Sequence, residues 1–164
     1  MAMTSDRSAK LTLPSDREIL IERLFAAPRR RVFDAWTNRA HVPRWYGCAE
    51  MAMVSCEIDL REGGAWRWVT RMPDGSEHAF SGAYRAIVPP ERLAFTERYE
   101  PVPGSEHDVT LTFDEHDGVT TMRMLLSYPS TAARDGHLRS GMERGLEGSL
   151  ARLEALAADQ AVAA

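Results

Sequence analysis

The run Leu138-Arg139-Ser140-Gly141-Met142-Glu143-Arg144-Gly145-Leu146-Glu147-Gly148-Ser149-Leu150-Ala151-Arg152-Leu153-Glu154-Ala155-Leu156-Ala157 decides the fold. Leu138, Met142, Leu146, Leu150, Leu153 and Ala157 recur at steps of three and four, the period of one helix face. The spacing predicts one long amphipathic helix from about Ser130. Burying five such Leu and Met side chains is worth on the order of 10 kcal/mol at roughly 1.5 to 3 each, more than helix propensity supplies, so the stripe must lie on another layer. Gly141, Gly145 and Gly148 sit beside the stripe, each forgoing about 1 kcal/mol relative to Ala. Two explanations stand: a close helix crossing, or space left beside the helix for a guest molecule. Glu143, Arg144, Glu147 and Arg152 exclude a lipid-facing helix.

Upstream of this helix the period is two. Met53 to Leu60, Ala65 to Met72, Glu77 to Val88, Leu93 to Tyr99, Asp108 to Asp114 and Thr120 to Tyr128 read as strands, separated by turn residues such as Gly63-Gly64, Pro73-Asp74-Gly75 and Asp117-Gly118. Further upstream, Glu18 to Phe25 is a first strand, which brings the total to about seven. Pro28 then opens a short helix with Val32, Phe33 and Trp36 on one side, and Asn38 caps a second, carrying Val42 and Trp45, that stops at Gly47. The order is strand, two short helices, six strands, long helix: an α+β domain whose curved antiparallel sheet wraps the C-terminal helix. Residues 1–14 lack periodicity and are expected to be a disordered leader, with residues 15–160 as a single domain.

Composition narrows the function. The 164 residues carry a net charge of -4, and their basic side chains are Arg apart from Lys10, so no broad cationic surface for nucleic acid is implied. No uncharged apolar window of about 18 residues and no signal-peptide core occurs, so neither membrane insertion nor secretion is expected, and a cytoplasmic protein is the default. Cys48 and Cys56 fit neither a zinc pattern nor a disulfide framework and read as reduced thiols. His41, His78, His107, His116 and His137 are scattered, so no metal site is expected, and no serine elbow, phosphate-binding loop or dinucleotide fingerprint calls for a cofactor.

Alternation assigns the lining of the space beside the helix. Trp66, Trp68 and Thr70 share a face, as do Met122, Met124 and Leu126. On the strand before Tyr99, the residues Leu93, Phe95, Glu97 and Tyr99 fall together, and Glu97 is the odd member. A carboxyl group there either binds a polar end of a ligand, acts as an acid or base, or sits at a strand end open to water.

Several stretches carry a likeness to one family: Phe33-Asp34-Ala35-Trp36-Thr37-Asn38, Trp45-Tyr46-Gly47-Cys48, Asp59-Leu60-Arg61-Glu62-Gly63-Gly64-Ala65-Trp66, Gly82-Ala83-Tyr84-Arg85, Pro89-Pro90-Glu91-Arg92-Leu93 and Gly141-Met142-Glu143-Arg144-Gly145. In this order they resemble bacterial proteins related to the heat-shock protein 90 ATPase activator, of the START-related, birch-pollen-allergen-like (SRPBCC) superfamily. The resemblance implies a helix-grip fold, a seven-stranded sheet holding the long helix, with a deep apolar cavity between them. It implies no universal catalytic residues. At Ala86 this chain departs from the acidic residue that often follows the Tyr-Arg pair.

The leading expectation is therefore a protein that binds a small hydrophobic or aromatic molecule between sheet and C-terminal helix, in a tunnel of a few hundred Å³. Its lining would come from Trp36, Trp45, Trp66, Trp68, Phe80, Tyr84, Phe95, Glu97, Tyr99, Met122, Met124, Met142 and Leu146. The alternatives are a cyclase or lyase using Glu97 with Tyr84, Tyr99 or His107 as acid and base, and a co-regulator of the chaperone. A homodimer is left open.

Overall fold

The computed structural model describes residues 7–47 and 50–159. In chain order the elements are β1 (Lys10–Thr12), β2 (Glu18–Phe25), α1 (Arg29–Thr37), α2 (Val42–Trp45), β3 (Ala52–Ile58), β4 (Ala65–Arg71), β5 (Glu77–Val88), β6 (Arg92–Tyr99), β7 (His107–His116), β8 (Val119–Ser127), α3 (Thr131–Arg139) and α4 (Met142–Ala158). All the strands pair antiparallel, in the order β1-β2-β8-β7-β6-β5-β4-β3. The helices α1, α2 and α4 cover one face of this sheet, and the core lies between the layers. This is the α+β helix-grip layout that the hydrophobic periods and the family likeness predict.

Alternation places the inner face as expected. Trp66 and Trp68 on β4, Tyr84 on β5, Leu93 and Phe95 on β6, Val109, Leu111 and Phe113 on β7, and Met122, Met124 and Leu126 on β8 are all buried. On β2 the same face carries Ile19, Ile21, Arg23 and Phe25. Arg23 is 4% exposed and is held by Glu147 and Glu154 of α4, each at 3.1 Å. A buried cation must be paired, and this pairing ties α4 to β2. The other edge of α4 meets the α1–α2 corner, where Ser149 Oγ bonds the Gly47 N–H and carbonyl at 3.0 Å and Arg152 Nε donates to the Trp45 carbonyl.

Three expectations need correction. The sheet has an eighth strand: Lys10–Thr12, from the stretch read as leader, pairs with Leu20 to Glu22. Three residues at a sheet edge are too few to show a period. The long helix is two helices, because Gly141 adopts a left-handed conformation (φ +83°) that breaks α3 from α4. The periodicity survives the break because Leu138 and Met142 remain four residues apart, both half-buried against the core. Finally, Asn38 ends α1 rather than capping α2: its carbonyl accepts from His41 and Val42, and its side chain accepts from Ala40.

The close crossing invoked for the glycines is also absent. A side-chain carbon added at Gly145 would meet nothing within 4 Å, and one at Gly148 only the tip of Arg152 at 3.7 Å. Gly145 is exposed to solvent, so it opens no internal space either. Packing does require Gly64, where an added carbon would lie 2.0 Å from the Asp59 carbonyl oxygen, and Gly82 on β5, where it would lie 1.8 Å from that of Thr96. The bare backbone of Gly82 lets the Trp66 indole reach over and donate to the Thr96 carbonyl at 3.1 Å. Here the β5–β6 ladder opens: Ser81 pairs Arg98 and Tyr84 pairs Phe95, while between them Ala83 N donates to Thr96 Oγ1 instead.

Candidate functional site

Beside that opening stands Glu97, the carboxyl residue singled out by alternation. The β6–β7 register sets it opposite His107, and Glu97 Oε2 lies 4.0 Å from His107 Nε2. Glu97 is 23% exposed and His107 5% at the side chain, so the pair belongs to the interior. The imidazole is fixed on every side. Its Nδ1 donates to the Ser105 carbonyl at 3.0 Å, its face stacks on Tyr128 with centroids 4.7 Å apart, and His137 of α3 packs at 5.3 Å. The Tyr128 hydroxyl in turn bonds His137 Nδ1. A carbonyl only accepts, so Nδ1 carries the proton and Nε2 is the atom turned toward Glu97.

Charge couples the group. Burial pushes the Glu97 carboxyl up from the usual carboxylate range, and His107 opposes that shift. Burial and then the Glu97 charge push the Tyr46 and Tyr128 hydroxyls up. Burial and then His107 pull His137 down to about 4, which keeps it neutral near neutrality. Glu97, His107, Tyr46, Tyr128 and His137 thus form one electrostatically coupled polar cluster.

The walls beyond it are aromatic. Trp36 meets Trp45 edge-on at 4.8 Å, Trp45 meets Trp68 at 6.2 Å, Trp68 meets Trp66 at 5.2 Å and Trp66 meets Phe95 at 5.6 Å. Tyr46 lies against Trp68 at 5.0 Å and Phe80 at 6.3 Å. Trp45 donates to the Ala35 carbonyl, but the indole N–H groups of Trp36 and Trp68 are buried without a partner, as is His107 Nε2. Native proteins rarely leave such atoms unpaired.

The predicted lining is therefore gathered in part. Trp36, Trp45, Trp66, Trp68, Phe80 and Phe95 form the aromatic wall, with Met142 and Leu146 half-buried at the start of α4. Met122 is fully buried core on β8, and Met124 is nearly so. Tyr84 stands opposite Phe95, with Cys56 rather than Glu97 as its titratable neighbour. Tyr99 is bound to His78 Nδ1 at 2.6 Å. Of the acid–base candidates, then, His107 is the one brought to Glu97. Burial pushes the Cys56 thiol up to about 11, an unreactive state, and Cys48 lies outside the described residues.

Among the described residues two shallow, solvent-open depressions are found. One of about 490 Å³ is formed by Arg98, Tyr99, Glu100, Val102, Gly104, Ser105 and Glu106, and meets the cluster through Ser105, whose carbonyl accepts from His107. The other, of about 250 Å³, lies at the β1–β2 edge, bounded by residues that include Lys10, Glu22, Arg23 and Thr121. Neither lies between sheet and α4, where the likeness implies a deep cavity and where the aromatic rings instead touch one another. Among the described residues no group of His, Cys, Asp and Glu is placed to hold a metal, and no helix is long and apolar enough to cross a membrane.

The family model described as "Activator of Hsp90 ATPase homolog 1-like protein" matches residues 26–158. Comparison with curated proteins gives no match. Among solved structures, a Rhodobacter sphaeroides protein is similar at 27% identity and TM-score 0.85, over 91% of this chain and 97% of that one. A Mycobacterium smegmatis protein is similar at 23% identity and TM-score 0.82, over 91% and 96% of the two chains. An AHSA1-like protein from Aeromonas hydrophila is similar at 20% identity and TM-score 0.72, over 87% and 96%. The last two share the fold alone.

Proposed function

The chain belongs to the activator of Hsp90 ATPase homolog 1-like family, and from that premise we propose that it binds a small hydrophobic or aromatic molecule between the sheet and α4. The observation that carries this reading is that three of the five unpartnered buried polar side-chain atoms among the described residues, Trp36 Nε1, Trp68 Nε1 and His107 Nε2, belong to aromatic or imidazole rings of the interior, the other two being Arg23 Nε and Arg152 Nη2. Each such atom costs about 1–3 kcal/mol unless something completes it. A guest with an apolar body and a few polar atoms would complete the three ring atoms and keep the apolar surface covered. Room for it comes from repacking. Met124, Met142 and Leu146 are the deformable neighbours, and Met142 and Leu146 are only half-buried.

The test is a thermal-shift screen of aromatic and lipid-like compounds, with native mass spectrometry of the freshly purified protein. A guest at a hundred times its dissociation constant adds about 2.7 kcal/mol, or roughly 5–10 °C in a chain of this size. Intrinsic tryptophan fluorescence should change in parallel. No shift with any compound, and no copurified molecule, removes the reading.

The Glu97–His107 contact also favours a second reading, a cyclase- or lyase-type enzyme that uses this pair as acid and base. It requires that a bound guest be converted. A guest recovered unchanged after prolonged incubation argues against it.

A further inference from the structure

We propose that the gap between Glu97 and His107 recognises one hydroxyl group, so that the ligand of this interior is a neutral phenol or aromatic alcohol rather than a hydrocarbon, an amine or a carboxylate. The inference rests on the ligand-binding reading above and adds the chemistry of the polar end.

The separation is the first argument. At 4.0 Å the two atoms are too far apart to bond each other. A hydroxyl oxygen can hydrogen-bond both at once, about 2.8 Å from each, when a guest displaces the packing that buries Nε2. The fixed ring is the second. His107 is 7% exposed, its Nδ1 proton is committed to Ser105, and Tyr128 and His137 hold its plane, so Nε2 cannot turn away to find another partner. That atom is nevertheless unpartnered.

Proton placement supplies the third. A neutral carboxyl group beside a neutral imidazole presents one donor and one acceptor. A carboxylate beside an imidazolium presents one acceptor and one donor. A hydroxyl both gives and accepts a hydrogen bond, so it satisfies either arrangement. A carbonyl or ether accepts only, and leaves Nε2 unpaired in the neutral arrangement. A carboxylate ligand would set a second anion beside Glu97. An ammonium group would need an ionised carboxyl beside a neutral imidazole, the arrangement that burial of Glu97 disfavours. The aromatic body is set by the walls: Tyr46, whose hydroxyl feels the Glu97 charge, packs on Trp45 and Trp68, and Trp68 packs on Trp66.

The experiment compares four probes on the full chain: 2-naphthol, naphthalene, 2-naphthoate and 2-naphthylmethylamine, titrated by tryptophan fluorescence and calorimetry at pH 7. The expected result is that naphthol binds about tenfold or more tightly than naphthalene, and more tightly than either charged probe. His107→Phe keeps the stacking surface but removes Nε2, and should cut naphthol affinity to that of naphthalene while leaving naphthalene unchanged. Should that variant not fold, the nitrogen-15 resonance of Nε2 in the wild type is the readout. It should shift with naphthol and not with naphthalene. Equal binding of naphthol and naphthalene overturns the hydroxyl site and leaves ligand binding standing. Tighter binding of the amine or the carboxylate overturns the ligand class. If none of the four binds, both the hydroxyl site and the reading it rests on fall.

Discussion

Gly145→Ala should stabilise this protein. The residue lies in α4, its backbone is not left-handed, and the added carbon meets nothing within 4 Å. The substitution then changes only the freedom of the unfolded chain and the helix preference, worth about 1 kcal/mol in favour of Ala. For a chain of this length that is roughly 2–4 °C in the unfolding midpoint, readable by calorimetry or by urea titration with an unchanged slope. Gly148→Ala adds an ordinary contact with Arg152 and should act in the same direction. Gly141→Ala is the opposing control. Its φ of +83° is needed for the joint between α3 and α4, so Ala there should cost about 1 kcal/mol or more. If Gly145→Ala destabilised the chain as much as Gly141→Ala, the glycine would be serving a close contact, and the placement of α4 would be wrong.

His137 should make stability acid-sensitive. Its imidazole is held down at about 4 against the ordinary 6.5, so the neutral form is favoured in the fold. The stabilisation is complete above about pH 6.5 and is lost as pH falls toward 4, by up to about 3 kcal/mol at ~1.4 per unit. Glu97 acts in the opposite sense, since its carboxyl is pushed up and protonation relieves it. The quantity to measure is therefore the difference between wild type and His137→Phe in urea midpoints from pH 7 to 4, and a difference that stays constant with pH contradicts the assignment. Gly82→Ala should lower the denaturation midpoint by the equivalent of at least ~2 kcal/mol, because its carbon collides with the Thr96 carbonyl and displaces the Trp66 indole; an unchanged midpoint would contradict the packing. Arg23→Ala should cost about 1.5–3 kcal/mol, since it removes the pairs to Glu147 and Glu154 while Arg7 and the Ala26 N–H still hold Glu154, and chemical denaturation would read the loss directly.

Most of the layout could be read from residue periods alone. Trp66, Trp68 and Thr70, and Met122, Met124 and Leu126, fall on one side because a strand alternates, and the burial of each follows. Glu97 could be found as a charge out of place among apolar neighbours. Tyr128 was within reach by extending Met122, Met124 and Leu126 one step further, and His107 by extending Phe113, Leu111 and Val109 backward. His137 and Tyr46 had no such signal. Their approach to the cluster depends on how α3 crosses the end of β8 and how the α1–α2 corner folds over the sheet, and neither is written in a local period. The break at Gly141 was hidden for a related reason: the apolar stripe stays in step across it, and a left-handed residue leaves no mark on spacing.

Helix α3 contributes no buried residue. Its ties to the rest of the chain include the His137 bond to Tyr128, an Arg134 bond to the Ser15 carbonyl and the packing of Leu138. A segment with so few anchors, jointed at a glycine, detaches at a fraction of the free energy needed to melt the sheet. Its amide protons should trade with solvent early, while those of β7 and β8 persist. On the proposed ligand-binding reading, the polar end of the interior is covered by this helix, and opening there need not disturb the sheet.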